Sequence, residues 1–233
     1  MRKIDILLFI IAALSIFSSC TKKGDAPSVA DNILNYTINE IPVTTDYTVG
    51  AFYYNFTTFN TSTVQVPTVG KYSMVNGVVP SVVMTNHIQQ AKRGGIDYFL
   101  FPFRSVSRDL INFRTDSSTV KSFLDVNTDN LKFALAYNFL NTTFAISTTD
   151  PLENNAVKLE QFFQDIIKMV PQMKNANYLK VNGKALLYIM NAHLLFSNDN
   201  IKIYTTLRSR LSALGIELYI VGMQERWSPP ARY

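Results

Sequence analysis

The chain has 233 residues, 47% of them hydrophobic, with 22 Lys+Arg against 17 Asp+Glu and a net charge of +5. That length suits one large domain or a domain with a leader, and the apolar fraction is enough for a real core. The positive charge is mild and dispersed, with no Lys/Arg cluster of the kind that tracks a phosphate backbone, so nucleic acid is not an expected partner. A single cysteine excludes an internal disulfide framework, and stability must come from packing.

Met1-Arg2-Lys3 supplies positive charge, and Ile6 to Phe17 is nearly unbroken hydrocarbon. This is the n-region and h-region of an export signal, and its apolar run is shorter than the roughly 20 residues a permanent membrane helix needs. Ser18-Ser19-Cys20 then resembles a lipobox, with Phe17 in place of the usual aliphatic residue. The reading is a lipoprotein signal over residues 1–19, exported and held to a bacterial membrane by lipid on Cys20. Loss of residues 1–19 removes Arg2, Lys3 and Asp5 and leaves a net charge of +4. Residues 20–46, polar and broken by Pro27 and Pro42, read as a tether, and 47–233 as the folded domain.

Within the domain, short apolar runs alternate with stretches of helical periodicity. Strands are predicted near 49–54, 96–101, 131–137, 185–190 and 216–222. Helices are predicted around Asn86–Lys92, ending at Gly94-Gly95, around Val120–Val126, and over Leu152–Met169, opened by Asp150-Pro151. A last helix runs from Asn200 to Leu214 and ends at Gly215. Strands separated by helices predict βαβ units and a parallel α/β sheet. The first strand is followed by no glycine-rich phosphate fingerprint, so a (β/α)8 barrel of the TIM type is preferred over a nucleotide-binding doubly wound sheet. Only five strands are counted before Tyr233, so an incomplete barrel is expected.

Several segments in order carry a resemblance: Gly50-Ala51-Phe52-Tyr53-Tyr54, Pro67 to Tyr72, His87 to Phe101 with its Gly-Gly-Ile-Asp-Tyr-Phe ending, and Tyr178 to Ile189. Together they resemble the glycoside hydrolase family 99 endo-α-mannosidases and the related WbsX-type polysaccharide-biosynthesis proteins, over about residues 49–227. The resemblance implies a (β/α)8 barrel acting on α-mannan or a similar α-linked glycan, with no cofactor. It also implies a pair of glutamates late in the barrel, in a Glu-Trp-His-Glu-like segment, and no segment of this chain matches it. The chain by itself is therefore expected to bind glycan without hydrolysing it.

In such a barrel the working residues stand at the C-terminal ends of the strands. That places Tyr53, Tyr54 and Asn55 after the first strand, Arg104 after the second, Tyr137 and Asn138 after the third, Asn191 and His193 after the fourth, and Gln224 to Trp227 after the fifth. Tyr53, Tyr54, Asn55, Tyr137, Asn138, Asn191 and Trp227 form the candidate substrate-binding set, because aromatic faces stack on sugar rings and amides bind hydroxyls. Glu225 is the one candidate catalytic carboxylate. Arg104 reads as a surface residue, and His193 and His87 lack partners at metal-ligand spacing, so no metal site is expected. A non-catalytic glycan-binding lipoprotein is the alternative reading.

Overall fold

A computed structural model describes residues 48–54, 76–104, 110–128, 130–139 and 144–223, all within the compact unit Tyr47–Tyr233. Cys20, the 20–46 tether, Asn55, the Pro67–Tyr72 segment and Gln224, Glu225, Arg226 and Trp227 lie outside the described residues. In chain order the elements are β1 (Gly50–Phe52), α1 (Ser81–Arg93), β2 (Tyr98–Arg104), α2 (Leu110–Val126), β3 (Lys132–Asn138), a 3-10 turn (Leu152–Asn154), α3 (Ala156–Ile167), α4 (Val170–Met173), β4 (Lys180–Val181), β5 (Lys184–Ile189), a second 3-10 turn (Ala192–Leu194), α5 (Asn200–Ser212) and β6 (Leu218–Gly222).

Five of the strands are parallel and sit side by side in chain order: β1 on β2, β2 on β3, β3 on β5, β5 on β6. The order contains no reversal, which a doubly wound sheet requires. The sequence does not anticipate β4. Asn182 and Gly183, both at positive φ (50° and 77°), make the tight turn expected of Asn-Gly, but the turn folds two residues back antiparallel on β5.

Strand β2 shows how composition sets pairing. Its run Tyr-Phe-Leu-Phe-Pro-Phe is apolar on both faces because both faces are covered. The Tyr53 amide donates to Leu100 O, so the even-numbered backbone groups of β2 face β1. Pro102 is the next of these, and it has no hydrogen to give. The β1 ladder accordingly stops at Phe52↔Leu100, while β2 continues against β3 as far as Arg104↔Asn138.

The register sorts side chains into two faces. Phe99, Phe101 and Phe103 of β2 and Phe133, Leu135 and Tyr137 of β3 share the helix-side face. There Phe99, Phe101 and Phe133 all meet Phe123 of α2, with ring centroids 5.3–5.9 Å apart, and Tyr137 meets Phe162 of α3 at 5.8 Å. Tyr98, Leu100, Pro102, Ala134, Ala136, Leu186 and Tyr188 share the other, inner face.

That inner face is concave. A methyl group added at Gly50 would stand inside the Tyr98 ring, and the Tyr98 and Tyr188 hydroxyls are 2.7 Å apart. In a flat sheet Gly50 and Tyr188 would be about 19 Å apart, three strand spacings across and four residues along. A contact relayed by two phenols spans only about 13 Å. The sheet must curl to close the difference.

Below Leu135↔Leu187 strands β3 and β5 part, and Tyr178 fills the gap. Its hydroxyl donates to Leu186 O at 2.7 Å and accepts from the Leu135 amide at 3.2 Å, and the main chain beside it bonds Phe133 on one strand and Leu186 on the other, so phenol and backbone together fill the wedge. Burial pushes that phenol well above its ordinary value and keeps it protonated.

Three helical expectations need correction. The helix expected around Val120–Val126 begins at Leu110. Its Asp116, Thr119 and Ser122 are polar yet buried, because they anchor the 76–80 loop and the end of β2. Thr119 donates to Gly77 O at 2.9 Å, and Ser122 Oγ accepts from the Val79 amide at 3.1 Å. The helix expected from Leu152 to Met169 is a 3-10 turn followed by α3. Its cap is Asn155, whose side chain accepts from the Val157 and Lys158 amides, and not Asp150. The helix expected around Asn86–Lys92 starts earlier, at Ser81 directly after Pro80.

Replacing Tyr178 by Phe should leave both the Leu135 amide and the Leu186 carbonyl without a partner. The expected loss is about 2–6 kcal/mol of unfolding free energy, from about one to three per orphaned group, measured by urea denaturation. A loss below about 0.5 kcal/mol would show that the hydroxyl bridge is not what joins β3 to β5.

Candidate functional site

The C-terminal ends of the parallel strands converge on one rim, and each rim residue is set by strand alternation. On β1, Ala51 and Tyr53 face the helices while Phe52 and Tyr54 face inward. Phe52 and Tyr54 are 37% and 47% exposed, and their rings are stacked, with centroids 5.5 Å apart and planes 22° from parallel. This pair is a flat aromatic platform at the end of β1. Of the two tyrosines named from sequence, Tyr54 belongs to it. Tyr53 lies on the other side, with its ring against Phe99 and Phe101 and its hydroxyl 3.0 Å from His87 Nδ1 on α1. Burial holds the His87 imidazole below its ordinary proton affinity.

Tyr137 also lies behind the sheet. It is fully buried, and its hydroxyl donates to the buried Asp165 of α3 at 3.0 Å, so the structure places it in the core. The neighbouring Asn138 faces inward at the end of β3, half-buried, with its Oδ1 atom shielded from solvent and without a hydrogen-bond partner. Asn191, just past β5, adopts the left-handed conformation (φ 52°, ψ 37°). The Ala192 amide donates to Met223 O at 2.9 Å and so ties the loop after β5 to the end of β6. Gly222 leaves room for the crossing, since a Cβ there would come within 3.1 Å of Ala192 Cβ. His193 is exposed on this loop.

Arg104, read from sequence as a surface residue, is instead clamped. Asp116 of α2 takes its Nε at 2.9 Å and Nη2 at 2.7 Å and also accepts from the Arg104 backbone amide at 2.8 Å, with the carboxylate side chain only 2% exposed. Bidentate pairing of this kind fixes direction as well as charge. By register Arg104 stands beside Asn138. Sequence reasoning missed this pair because Asp116 sits mid-helix in a Ser/Thr-rich stretch that carries no periodic signal. Phe52 was missed although its signal was present, since alternation makes Phe52 and Tyr54, not Tyr53 and Tyr54, the residues of one face.

Among the described residues, the carboxylates close to the strands lie at the opposite strand ends, behind the sheet, or, for Asp116, bound to Arg104 at the end of β2. Asp97 and Glu217 precede β2 and β6, with Asp97 accepting from the Val49 amide at 2.7 Å, and Asp116 and Asp165 are on helices. No group of three or more His, Cys, Asp or Glu side chains among the described residues is arranged to hold a metal. The described part of the rim therefore offers exposed aromatic rings, the Asn138 amide and a charge-paired guanidinium, groups that stack and hydrogen-bond. A separate surface pocket of about 330 Å³ lies between α3 and α5, lined by Glu153, Phe163, Lys202 and Arg210 among others, away from the rim.

A solved structure described as a glycoside hydrolase-like protein superposes on this chain with a TM-score of 0.70 at 29% identity, over 88% of this chain and 59% of its own. The chain thus spans less than two thirds of that protein's length. Two structures of the GH99 endo-α-mannosidase of Bacteroides thetaiotaomicron, one in complex with bis-tris-propane, are each 14% identical, with TM-scores of 0.39 and 0.40. They cover 63% and 68% of this chain and 42% and 40% of their own, and at that superposition they carry no weight for the fold. No family model and no curated protein matches the sequence. The chain is an α/β protein whose parallel sheet and helices match those of a glycoside hydrolase-like protein.

Replacing Asp116 by Ala removes three hydrogen bonds and the paired charge of Arg104 at the end of β2. The expected cost is about 2–4 kcal/mol, below the full value for a wholly buried pair because Arg104 is partly solvated. Thermal unfolding measures it, and an unchanged Tm would mean that the clamp contributes nothing.

Proposed function

We propose that this chain is the N-terminal part of a lipid-anchored glycoside hydrolase acting on α-linked, α-mannan-like glycans, and that it supplies the first five βα units of a (β/α)8 barrel. The observation that carries this reading is the superposition on a glycoside hydrolase-like protein over 88% of the chain. The uninterrupted strand order and the concave inner face support the barrel. The stacked Phe52–Tyr54 platform at the rim supports a sugar-ring ligand. Anchoring through Cys20 and export to a bacterial membrane rest on the leader sequence.

Glycoside hydrolysis needs two placed carboxyl groups, one to protonate the departing oxygen and one at the anomeric carbon or its attacking water. Among the described residues, Asp97 and Glu217 precede their strands and Asp116 is engaged by Arg104, which supports a second reading: a glycan-binding surface without turnover. Glu225 is the one candidate carboxylate from the sequence that this placement leaves open.

Titration of the chain with α-linked mannotetraose should show binding, weakened about tenfold by Tyr54→Ala, about 1.4 kcal/mol. No binding by folded protein would sink the glycan reading, and hydrolysis of the tetraose by the unaltered chain would refute binding without turnover. Cys20→Ala should abolish labelling with a fatty-acid analogue and release the protein from membranes. A mutant that stays labelled and membrane-bound would disprove the anchor.

A further inference from the structure

We infer that Asn138 and Asn191 are the hydroxyl-binding pair of the rim, with the buried Asn138 amide making a direct hydrogen bond to the ligand. The inference rests on the proposed glycan reading and assigns the contact within it. The large majority of buried side-chain polar atoms have a hydrogen-bond partner, and Asn138 Oδ1, closed to solvent, has none; of the four such atoms among the described residues it is the one at a strand's C-terminal end on the inner face. The atom sits on the inner face at the end of β3, between the end of β2 and the loop that leaves β5.

Its neighbours have their bonding settled elsewhere. Arg104, beside it in register, is matched in charge by Asp116. On the other side the Met190 amide donates to Tyr137 O at 2.9 Å and carries the β3–β5 ladder to its last rung. Asn191 comes next. Its left-handed backbone is rare for a residue with a side chain, and its amide makes no cap bond to the 3-10 turn it begins. The turn is fixed by main-chain bonds alone, Leu194 N to Asn191 O at 2.8 Å and Ala192 N to Met223 O at 2.9 Å. Asn138 thus ends β3 and Asn191 follows the end of the adjacent β5, and the Asn191 side chain makes no cap bond to the turn it begins.

The chemistry of the ligand follows from the amide itself. If Asn138 were rotated to exchange its oxygen and nitrogen, a donor instead of an acceptor would be buried without a partner. A hydroxyl serves in both cases, since it donates and accepts. A carboxylate or an ammonium serves in only one. With Arg104 neutralised, the rim also offers no net charge from that pair to hold an anion. The occupant that fits is an uncharged, hydroxyl-rich ligand with a hydroxyl on Asn138, and a glycan of several rings can also reach Phe52 and Tyr54.

The experiment uses the full chain, α-linked mannotetraose and two variants, each read for affinity and for Tm. Asn138→Leu should weaken binding about tenfold with Tm unchanged or raised, because replacing an unsatisfied buried amide by an apolar group costs little or nothing. Asn191→Gly should weaken binding several-fold without loss of Tm, since glycine takes the left-handed conformation readily. If the unaltered chain binds and Asn138→Leu binds equally well, or if Asn138→Leu lowers Tm while Asn191→Gly leaves affinity intact, the amides are structural and this inference falls alone. If the unaltered chain binds no tetraose, the glycan reading falls and takes this inference with it.

Discussion

One phenol decides how the sheet is divided. Where β3 and β5 separate, the Tyr178 hydroxyl takes the Leu135 amide from one strand and gives its proton to the Leu186 carbonyl of the other. A slip of one residue between these strands would turn every side chain of β5 to the opposite face. With Tyr178 in place, Leu187 pairs with Leu135, Tyr188 faces inward and Ile189 faces the helices. The inner bridge to Tyr98 and the positions of Asn138 and Asn191 depend on that register. The Asn182-Gly183 turn serves the same end, because β4 folds back on the start of β5 and holds Tyr178 within reach of both strands.

The two faces are built from different material. Behind the sheet, Phe99, Phe101, Phe123, Phe133 and Tyr178 form a connected aromatic cluster in edge-on and tilted contacts, the arrangement that ring quadrupoles favour. Each fully buried ring is worth about 1.5–3 kcal/mol in burial alone, so this side supplies most of the cohesion. In front, Ala134 and Ala136 leave room for two phenols to meet across the curve. Large residues behind and small ones in front let the sheet bend toward the front. Burial, then the bond to Tyr188, raises the proton affinity of Tyr98, so the bridge stays intact through neutral and moderately alkaline pH.

The five parallel strands were legible in the sequence because each is an apolar run bounded by polar or glycine-containing segments, as Ile96–Phe101 and Ala185–Met190 are. The glycine stops of α1 and α5 were legible for the same reason, and Gly95 and Gly215 do adopt positive φ. What escaped were features whose cause lies elsewhere in space. Asp116, Thr119 and Ser122 look like a poor helix until the loop and strand end they bind are known. Asn155 outcompetes Asp150 as a cap because the chain stays extended through Pro151. For the rim, residue type pointed to aromatic and amide groups at the strand ends, and by register Tyr54 and Asn138 share the inner face. Tyr53 and Tyr137 differ from them only in parity, which sequence position alone leaves open until the register is fixed.

Pro102 has an effect beyond pairing. Because it ends the ladder of β1 after three residues, the strand carrying Phe52 and Tyr54 is held by fewer rungs than any other parallel strand of the sheet. Local opening is cheapest where backbone bonds are few and exposed, so among the described parallel strands β1 opens most easily. A ring that stacks on the platform binds only the closed strand and stabilises it by mass action. Occupancy of the rim and protection of the β1 amides from solvent exchange are therefore two readings of one equilibrium, and each reports the other.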